Sequence, residues 1–482
     1  WRPGPPSSGS GAAAAAAARA AFAAAAVPRP GHARPHVGRF GAGGRIGWPR
    51  GQAERVRGAK AAAAEVELAP DDLAEGPTAD FWTSRLGRLR RQFLSDAELI
   101  SLPEPGKLPA WAGSDSVHDI VPHQVQRDVE QLEYLLERDV LPQEVRSHVA
   151  EVVLPEYRRM LSLARVVVDG RSDVWFKTGA QPDLSSFFGL QKKALHLHPG
   201  DAVAGDAISP ELDLLKIQSD FLQKDHRMAV IDGFFSGEAL QRLRDFLLES
   251  TIWTEAKFGH VGAYLESGFA CPLVAQIDRE LRSKFSEVLG DLELDTAWAY
   301  MYDGSLGGIS THADDAQVQI NFFITPTEAN LGLNDSARSG GLIVYGIGPP
   351  EDWGKERYNN VYGKRDIEAV LATTGHWNVT VPYVENRAML FDSTYFHRSG
   401  AMNFKKGYKN RRINVTFLYG KRKQLRARPA VAEAAAPAAP QPLSEEAQAM
   451  GKQMEGFYTL EEQLLDGDGW SMLRQLEAAG RL

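Results

Sequence analysis

His312, Asp314 and His397 offer two imidazole nitrogens and one carboxylate oxygen. That donor set holds a divalent transition metal through one face and leaves the opposite face open, the arrangement of non-haem Fe(II) oxygenases. Spacing alone is weak support, because a chain with 12 histidines is expected to hold a His-x-Asp about once by chance. Taken by themselves, His312 reads equally well as a strand-end histidine and Asp314 as a turn residue.

The surroundings separate these readings. Trp298-Ala299-Tyr300-Met301-Tyr302 is an aromatic run of strand character, and Gly304, Gly307 and Gly308 predict a turn between it and His312. After Asp314 comes Gln317-Val318-Gln319-Ile320-Asn321-Phe322-Phe323-Ile324, mostly apolar at even numbers and closed by Pro326. Arg387-Ala388-Met389-Leu390-Phe391 predicts another strand, with His397 just beyond its end. From Arg412 to Tyr419 the chain alternates with period two, so Arg412, Asn414 and Thr416 share one face and Ile413, Val415 and Phe417 the other. A cation on an inward polar face requires an anion.

Residues 228–423, under half of the chain, resemble the 2-oxoglutarate and Fe(II)-dependent dioxygenase superfamily, in particular its prolyl-hydroxylase-like branch. The resemblance rests on Val230-Ile231-Asp232-Gly233-Phe234-Phe235, Thr311-His312-Ala313-Asp314-Asp315, Thr325-Pro326-Thr327-Glu328-Ala329-Asn330, Gly340-Gly341-Leu342, Asn386-Arg387, Phe396-His397 and Arg411-Arg412-Ile413-Asn414-Val415-Thr416. It implies a mainly β catalytic core, a double-stranded β-helix or jelly roll, with the metal in its mouth.

The resemblance also implies roles. His312, Asp314 and His397 match the iron ligands, and Arg412, followed by Asn414, matches the basic residue that grips the far carboxylate of 2-oxoglutarate. Arginine suits that task because its planar fork donates two parallel hydrogen bonds. Arg411 is the adjacent rival, and alone reads as a solvated or ion-paired side chain. The 15-residue separation of His397 and Arg412 (412 − 397) exceeds the usual family spacing, and an insert at 403–409 accounts for the excess. Tyr302 matches in position a tyrosine that contacts the co-substrate, and Asn321 is a further candidate for the same pocket; packing and ordinary polar satisfaction are the competing readings. Asp315 reads as a surface or turn carboxylate.

Fe(II), 2-oxoglutarate as co-substrate and O2 follow from the resemblance, with release of succinate and CO2. The expected activity is hydroxylation of a C–H bond in an unidentified substrate, a protein side chain or a small molecule. Asp314 speaks against halogenation, for which relatives replace this carboxylate with a small residue. The alternative is a catalytically inactive jelly-roll binding or scaffold protein acting through its helical flank. A cupin-type reaction without 2-oxoglutarate is opposed by Arg412.

Other features carry less chemistry. His196-Leu197-His198 has metal-binding spacing but no third ligand in view. Residues 351–383, with Trp353, Tyr358, Tyr362, Lys364, Arg365 and His376, read either as an element that closes over the site and reads substrate or as a surface excursion. The single cysteine, Cys271, excludes an intrachain disulfide and a cysteine-based metal cluster. No apolar run of about 18–20 residues predicts a membrane span.

The net charge of −8 hides an asymmetry. Residues 1–60 hold ten Arg or Lys against Glu54 alone, giving +9, so the remainder carries −17 (−8 − 9). Residues 1–66 therefore read as an Ala- and Arg-rich leader, either a low-complexity extension or a transit peptide for chloroplast or mitochondrion, within an intracellular protein. The start at Trp1 suggests a fragment. No platform of interleaved basic and aromatic residues predicts nucleic-acid binding.

Residues 67–225 read as a mostly helical flank. Val125, Val129, Leu132 and Leu136 fall on one helical face, and a second helix is predicted from Gln143 towards Ala164, interrupted near Pro155. Met228 to Ile231 is expected to be a buried strand opening a jelly-roll domain at 226–424, with Ser236 capping the next helix. An Ala/Pro linker at 425–442 and a short helical tail at 443–482 complete the predicted order.

Overall fold

The computed structural model describes residues 117–422, except 181–183, 192, 224–225, 305, 336 and 360–362. The leader, the linker and the tail read from the sequence lie outside the described residues.

In the flank, β1 (Val117–Ile120) leads into α1 (Pro122–Arg138). Proline suits the first helical turn because no intrahelical partner awaits its missing N–H. The predicted apolar face is real: Val125, Val129 and Leu132 are buried and Leu136 packs beside them. The second helix forms in three pieces, Gln143–His148, a wide π turn at Val149–Val153, and α2 (Leu154–Val167). The π turn is the predicted interruption. Pro155 has no N–H and crowds the carbonyl four residues back, and a widened turn relieves both. β2 (Phe176–Gly179) pairs antiparallel with β1. Leu135, Val149, Met160, Phe187 and Phe188 close this core, each burial stabilising by about 1.5–3 kcal/mol.

The second region runs β3 (Met228–Ile231), α3 (Gly237–Glu249), β4 (Glu255–Lys257), β5 (His260–Tyr264), α4 (Pro272–Lys284), β6 (Leu294–Tyr302), β7 (Val318–Phe323) and β8 (Leu342–Tyr345). It continues with α5 (Lys364–Thr373), β9 (Asn378–Val381), β10 (Ala388–Asp392), β11 (His397–Ser399) and β12 (Ile413–Tyr419). Seven strands form an antiparallel sheet in the order β3-β10-β7-β12-β6-β5-β4, and β11-β8-β9 form a second sheet. Phe323, Met389 and Phe391 of the large sheet share a core cluster with Leu342, Val344 and Val381 of the small one.

Opposed residues in antiparallel strands share a face, so the register shows what each side of the large sheet presents. Asn321 opposes Met389 on β10 and Thr416 on β12, Asn414 opposes Tyr300, and Tyr302 opposes His260. This inner face is polar and aromatic. The other face carries Phe322, Phe417 and their neighbours, which pack with Phe234, Phe235 and Phe269 near α3 and α4. Both faces of β12 are therefore buried.

One expectation is corrected. β3 is a strand, but it lies at the sheet edge with Val230 44% exposed rather than buried, because β10 is the one strand paired with it. Residues 351–383 form a short helix at Lys355–Tyr358, α5, and β9, which completes the small sheet. Ser236 caps α3 as predicted, accepting from the Ala239 N–H at 3.4 Å.

Candidate metal centre

The turn after β10 passes the chain from the large sheet to the small one, and His397 is the first residue of β11. There His312 and His397 exchange both backbone hydrogen bonds, N–H to O at 3.0 and 2.8 Å. That pairing sets the two rings side by side with centroids 4.3 Å apart. Each ring is oriented by its own chain: Nδ1 of His312 donates to the Ser310 carbonyl at 2.8 Å, and Nδ1 of His397 to the Tyr395 carbonyl at 3.0 Å. A carbonyl only accepts, so both rings carry hydrogen on Nδ1 and present the Nε2 lone pair.

Asp314 completes the group. One ligand atom from each of the three residues lies within 4.8 Å of the others, and among the described residues no second cluster of three such side chains forms. Oδ1 of Asp314 is 3.8 Å from His312 Nε2 and accepts from Asn359 Nδ2 at 3.0 Å; Oδ2 is 3.4 Å from His397 Nε2. Oδ2 is buried and has no hydrogen-bond partner. A buried carboxylate oxygen left without a donor calls for a cation, and two imidazole lone pairs plus that oxygen are a donor set that fits one.

Electrostatics favour the ligating forms. Burial, with His397 nearby, pushes the His312 imidazole down to about 4, so it is neutral at physiological pH. Burial pushes the Asp314 carboxyl up, but the closeness of His397 and His312 and the hydrogen bond from the Asn359 amide outweigh it and hold the group at about 2.

The second half of the site is the inner face of β12. Arg412 is 1% exposed, yet no carboxylate among the described residues pairs with it. Its Nε donates to the Gly340 carbonyl at 2.5 Å and its Nη1 to Asn414 Oδ1 at 2.9 Å, while the guanidinium lies 4.3 Å from the Tyr302 ring centroid and 5.1 Å from that of Tyr383. Asn414 donates to Asn321 Oδ1 at 3.4 Å, and Thr416 donates to the same oxygen at 2.7 Å. Gln319, one inward position along β7 from Asn321, approaches His397 Nε2 to 3.5 Å. A continuous polar lane thus joins the triad to Arg412. Asn321 Nδ2 and Trp298 Nε1 are, like Asp314 Oδ2, buried without a partner.

Every candidate residue read from the sequence, His312, Asp314, His397, Arg412, Tyr302, Asn414 and Asn321, therefore lies in or beside this lane. Arg411 does not. It points to the flank, its Nε 2.8 Å from Glu130 of α1 and its Nη1 3.7 Å from Asp303. The insert at 403–409 docks on the same side: Tyr408 donates to the Leu248 carbonyl at 2.9 Å and packs on Tyr134 of α1. Asp315 is half-buried and accepts from the Tyr358 hydroxyl at 3.3 Å. His196 is largely buried, which pushes its imidazole down to about 4, and His198 Nδ1 accepts from the Gly200 N–H at 3.1 Å.

Three residues of the site were not singled out from the sequence. Gln319 and Tyr300 share period-two faces with Asn321 and Tyr302, so alternation was signal enough to find them. Asn359, 45 residues from Asp314, had no such signal.

A scan against known protein families finds no match, and no curated protein matches the sequence. Similar solved structures include a prolyl-4-hydroxylase from Pseudomonas putida, at 15% identity over 44% of this chain and 100% of that one, with a TM-score of 0.28. Another is the epimerase SnoN in complex with Fe3+, alpha ketoglutarate and nogalamycin RO, at 12% identity over 43% of this chain and 83% of that one, TM-score 0.31. HygX from Streptomyces hygroscopicus, with nickel and 2-oxoglutarate bound, is 12% identical over 42% of this chain and 85% of that one, TM-score 0.29. No helix among the described residues is long and apolar enough to cross a membrane.

Proposed function

We propose that this chain is an Fe(II)- and 2-oxoglutarate-dependent oxygenase, built on a double-stranded β-helix, that hydroxylates a C–H bond of a protein side chain or small molecule. One observation carries the reading: a single buried lane has an unpartnered carboxylate oxygen and two inward imidazoles at one end and an uncompensated guanidinium at the other. A cation answers the first need and a carboxylate the second. A 2-oxo dicarboxylate supplies chelating oxygens for a metal and a distal anion for Arg412 in one molecule.

His312, Asp314 and His397 would hold the iron, which when bound supplies O2 activation coupled to decarboxylation of the co-substrate. The chain's own residues do the rest. The Ser310 and Tyr395 carbonyls fix the two imidazole tautomers. Arg412, held by Gly340 and Asn414 and stacked on Tyr302, orients the far carboxylate, and Asn321, reached through Asn414, offers a spare donor in the same lane. Tyr300, Tyr302 and Phe391 line the lane with aromatic rings.

The test is anaerobic binding of Fe(II) and 2-oxoglutarate followed by O2-dependent release of succinate, on the wild type and His312→Ala. Succinate from the wild type alone supports the proposal. Failure of the wild type to bind both metal and 2-oxoglutarate overturns it in favour of a binding or scaffold role.

A further inference from the structure

We infer that Asn359 is a positioning residue for Asp314, and that metal retention depends on it. The inference deepens the oxygenase reading and rests on it.

Tyr358 and Asn359 close the short helix at Lys355–Tyr358 and grip three consecutive residues of the triad loop. The Ala313 N–H donates to the Tyr358 carbonyl at 3.0 Å. The Asn359 amide donates to the Ala313 carbonyl at 2.6 Å and to Asp314 Oδ1 at 3.0 Å. The Tyr358 hydroxyl donates to Asp315 Oδ1 at 3.3 Å. Behind them Tyr358 and Ala313 sit in one apolar cluster with Ile367 of α5 and with Phe396, the residue before His397. The same segment therefore buttresses the backbone on both sides of the triad.

The consequence lies in which oxygen is left over. An Asn amide has two hydrogens and both are used here, one on a backbone carbonyl and one on Oδ1. This bridge ties the carboxylate to its own main chain and blocks rotation about the side-chain bond. Oδ2 then remains as the oxygen that faces His397 without a donor. Asn359 thereby leaves Oδ2 as the oxygen of Asp314 that would hold a metal. Without it, Oδ1 is free to swing towards the metal or away, and the carboxylate loses its orientation.

The test uses the full chain and Mn(II) as probe, titrated anaerobically, with the melting temperature of the metal-free protein measured in parallel. Loss of such a buttressing hydrogen bond costs about 10–100-fold in metal affinity. Asn359→Ala is expected to weaken Mn(II) by that factor, while Glu368→Ala on the exposed side of α5 binds like the wild type. In Co(II)-loaded samples, Asn359→Ala should also change the intensity of the visible absorption, which follows coordination number. Asn359→Ser, also too short to reach Oδ1, is carried through the same titration in case the alanine variant does not fold. If either folded variant binds Mn(II) within about twofold of the wild type, Asn359 is only structural and the inference fails. If the wild type itself binds no Mn(II), the oxygenase reading fails first.

Discussion

Replacing Arg412 with Met tests the anion-binding half of the site. A guanidinium has five N–H hydrogens, and the bonds to Gly340 and Asn414 use two, leaving three (5 − 2) on Nη1 and Nη2 for a carboxylate. Two charge-assisted bonds at about 1.5–3 kcal/mol each would stabilise a bound dicarboxylate by roughly 3–6 kcal/mol. The low end, about 3 kcal/mol, corresponds to roughly 150-fold in affinity. The ligand-free fold should suffer far less: losing two hydrogen bonds is offset by removing a buried cation that has no carboxylate partner, and Met fills similar volume between Tyr302, Tyr383 and Phe323.

The assay is thermal unfolding of Mn(II)-loaded protein with 2-oxoglutarate at about 100 times the wild-type Kd. The wild type then gains about 2.7 kcal/mol. A variant binding about 150-fold more weakly gains only about 0.3 kcal/mol under the same relation. Arg412→Met that melts normally without ligand and gains as much as the wild type with it would refute the assignment of Arg412 to the co-substrate.

Two further outcomes follow from the flank. Arg411→Ala removes the ion pairs to Glu130 and Asp303 at the seam between α1 and the seven-stranded sheet, so it should destabilise the protein by about 1–3 kcal/mol in denaturant titration. The same variant should leave 2-oxoglutarate affinity within twofold, and a larger loss would return Arg411 to the site. His123 and His260 are both buried, which pushes their imidazoles down to about 4 and about 3 respectively. Their folded-state pKa values lie below the ordinary 6.5, so the unfolded chain takes up protons first as pH falls. Their contribution is therefore intact above about pH 6.5 and is lost between there and about pH 4, by up to about 2–3 kcal/mol per pH unit for the pair. Unfolding free energy of the metal-free protein that stays flat from pH 7 to pH 5 would contradict this.

Local spacing made much of the site legible. Strand alternation depends only on the two-residue repeat of extended backbone, so it put Arg412, Asn414 and Thr416 on one face before any partner was known. The helical face of α1 and the break before Pro155 were legible for the same reason, since 3.6-residue periodicity and a missing N–H act within a turn or two. His312 and Asp314 were readable as a pair because only Ala313 separates them; His397 joined them by its place after a strand.

Tertiary structure decided what spacing leaves degenerate. Neighbouring arginines on a strand point to opposite faces, and only packing says which face is the site: Arg411 meets Glu130, 281 residues earlier, and Arg412 meets the lane. β12 is buried on both faces, so the polar face found by alternation is as enclosed as the apolar one. β3 read as buried because its residues are apolar, but exposure is set by how many strands and helices cover it, and one edge stayed open. Asn359 became visible only when folding brought a helix end against Asp314, a contact across 45 residues for which no local repeat exists. The chain's sequence determined which residues could bind a metal and an anion; the fold determined that they face one another, because convergence is a property of long-range pairing and not of spacing.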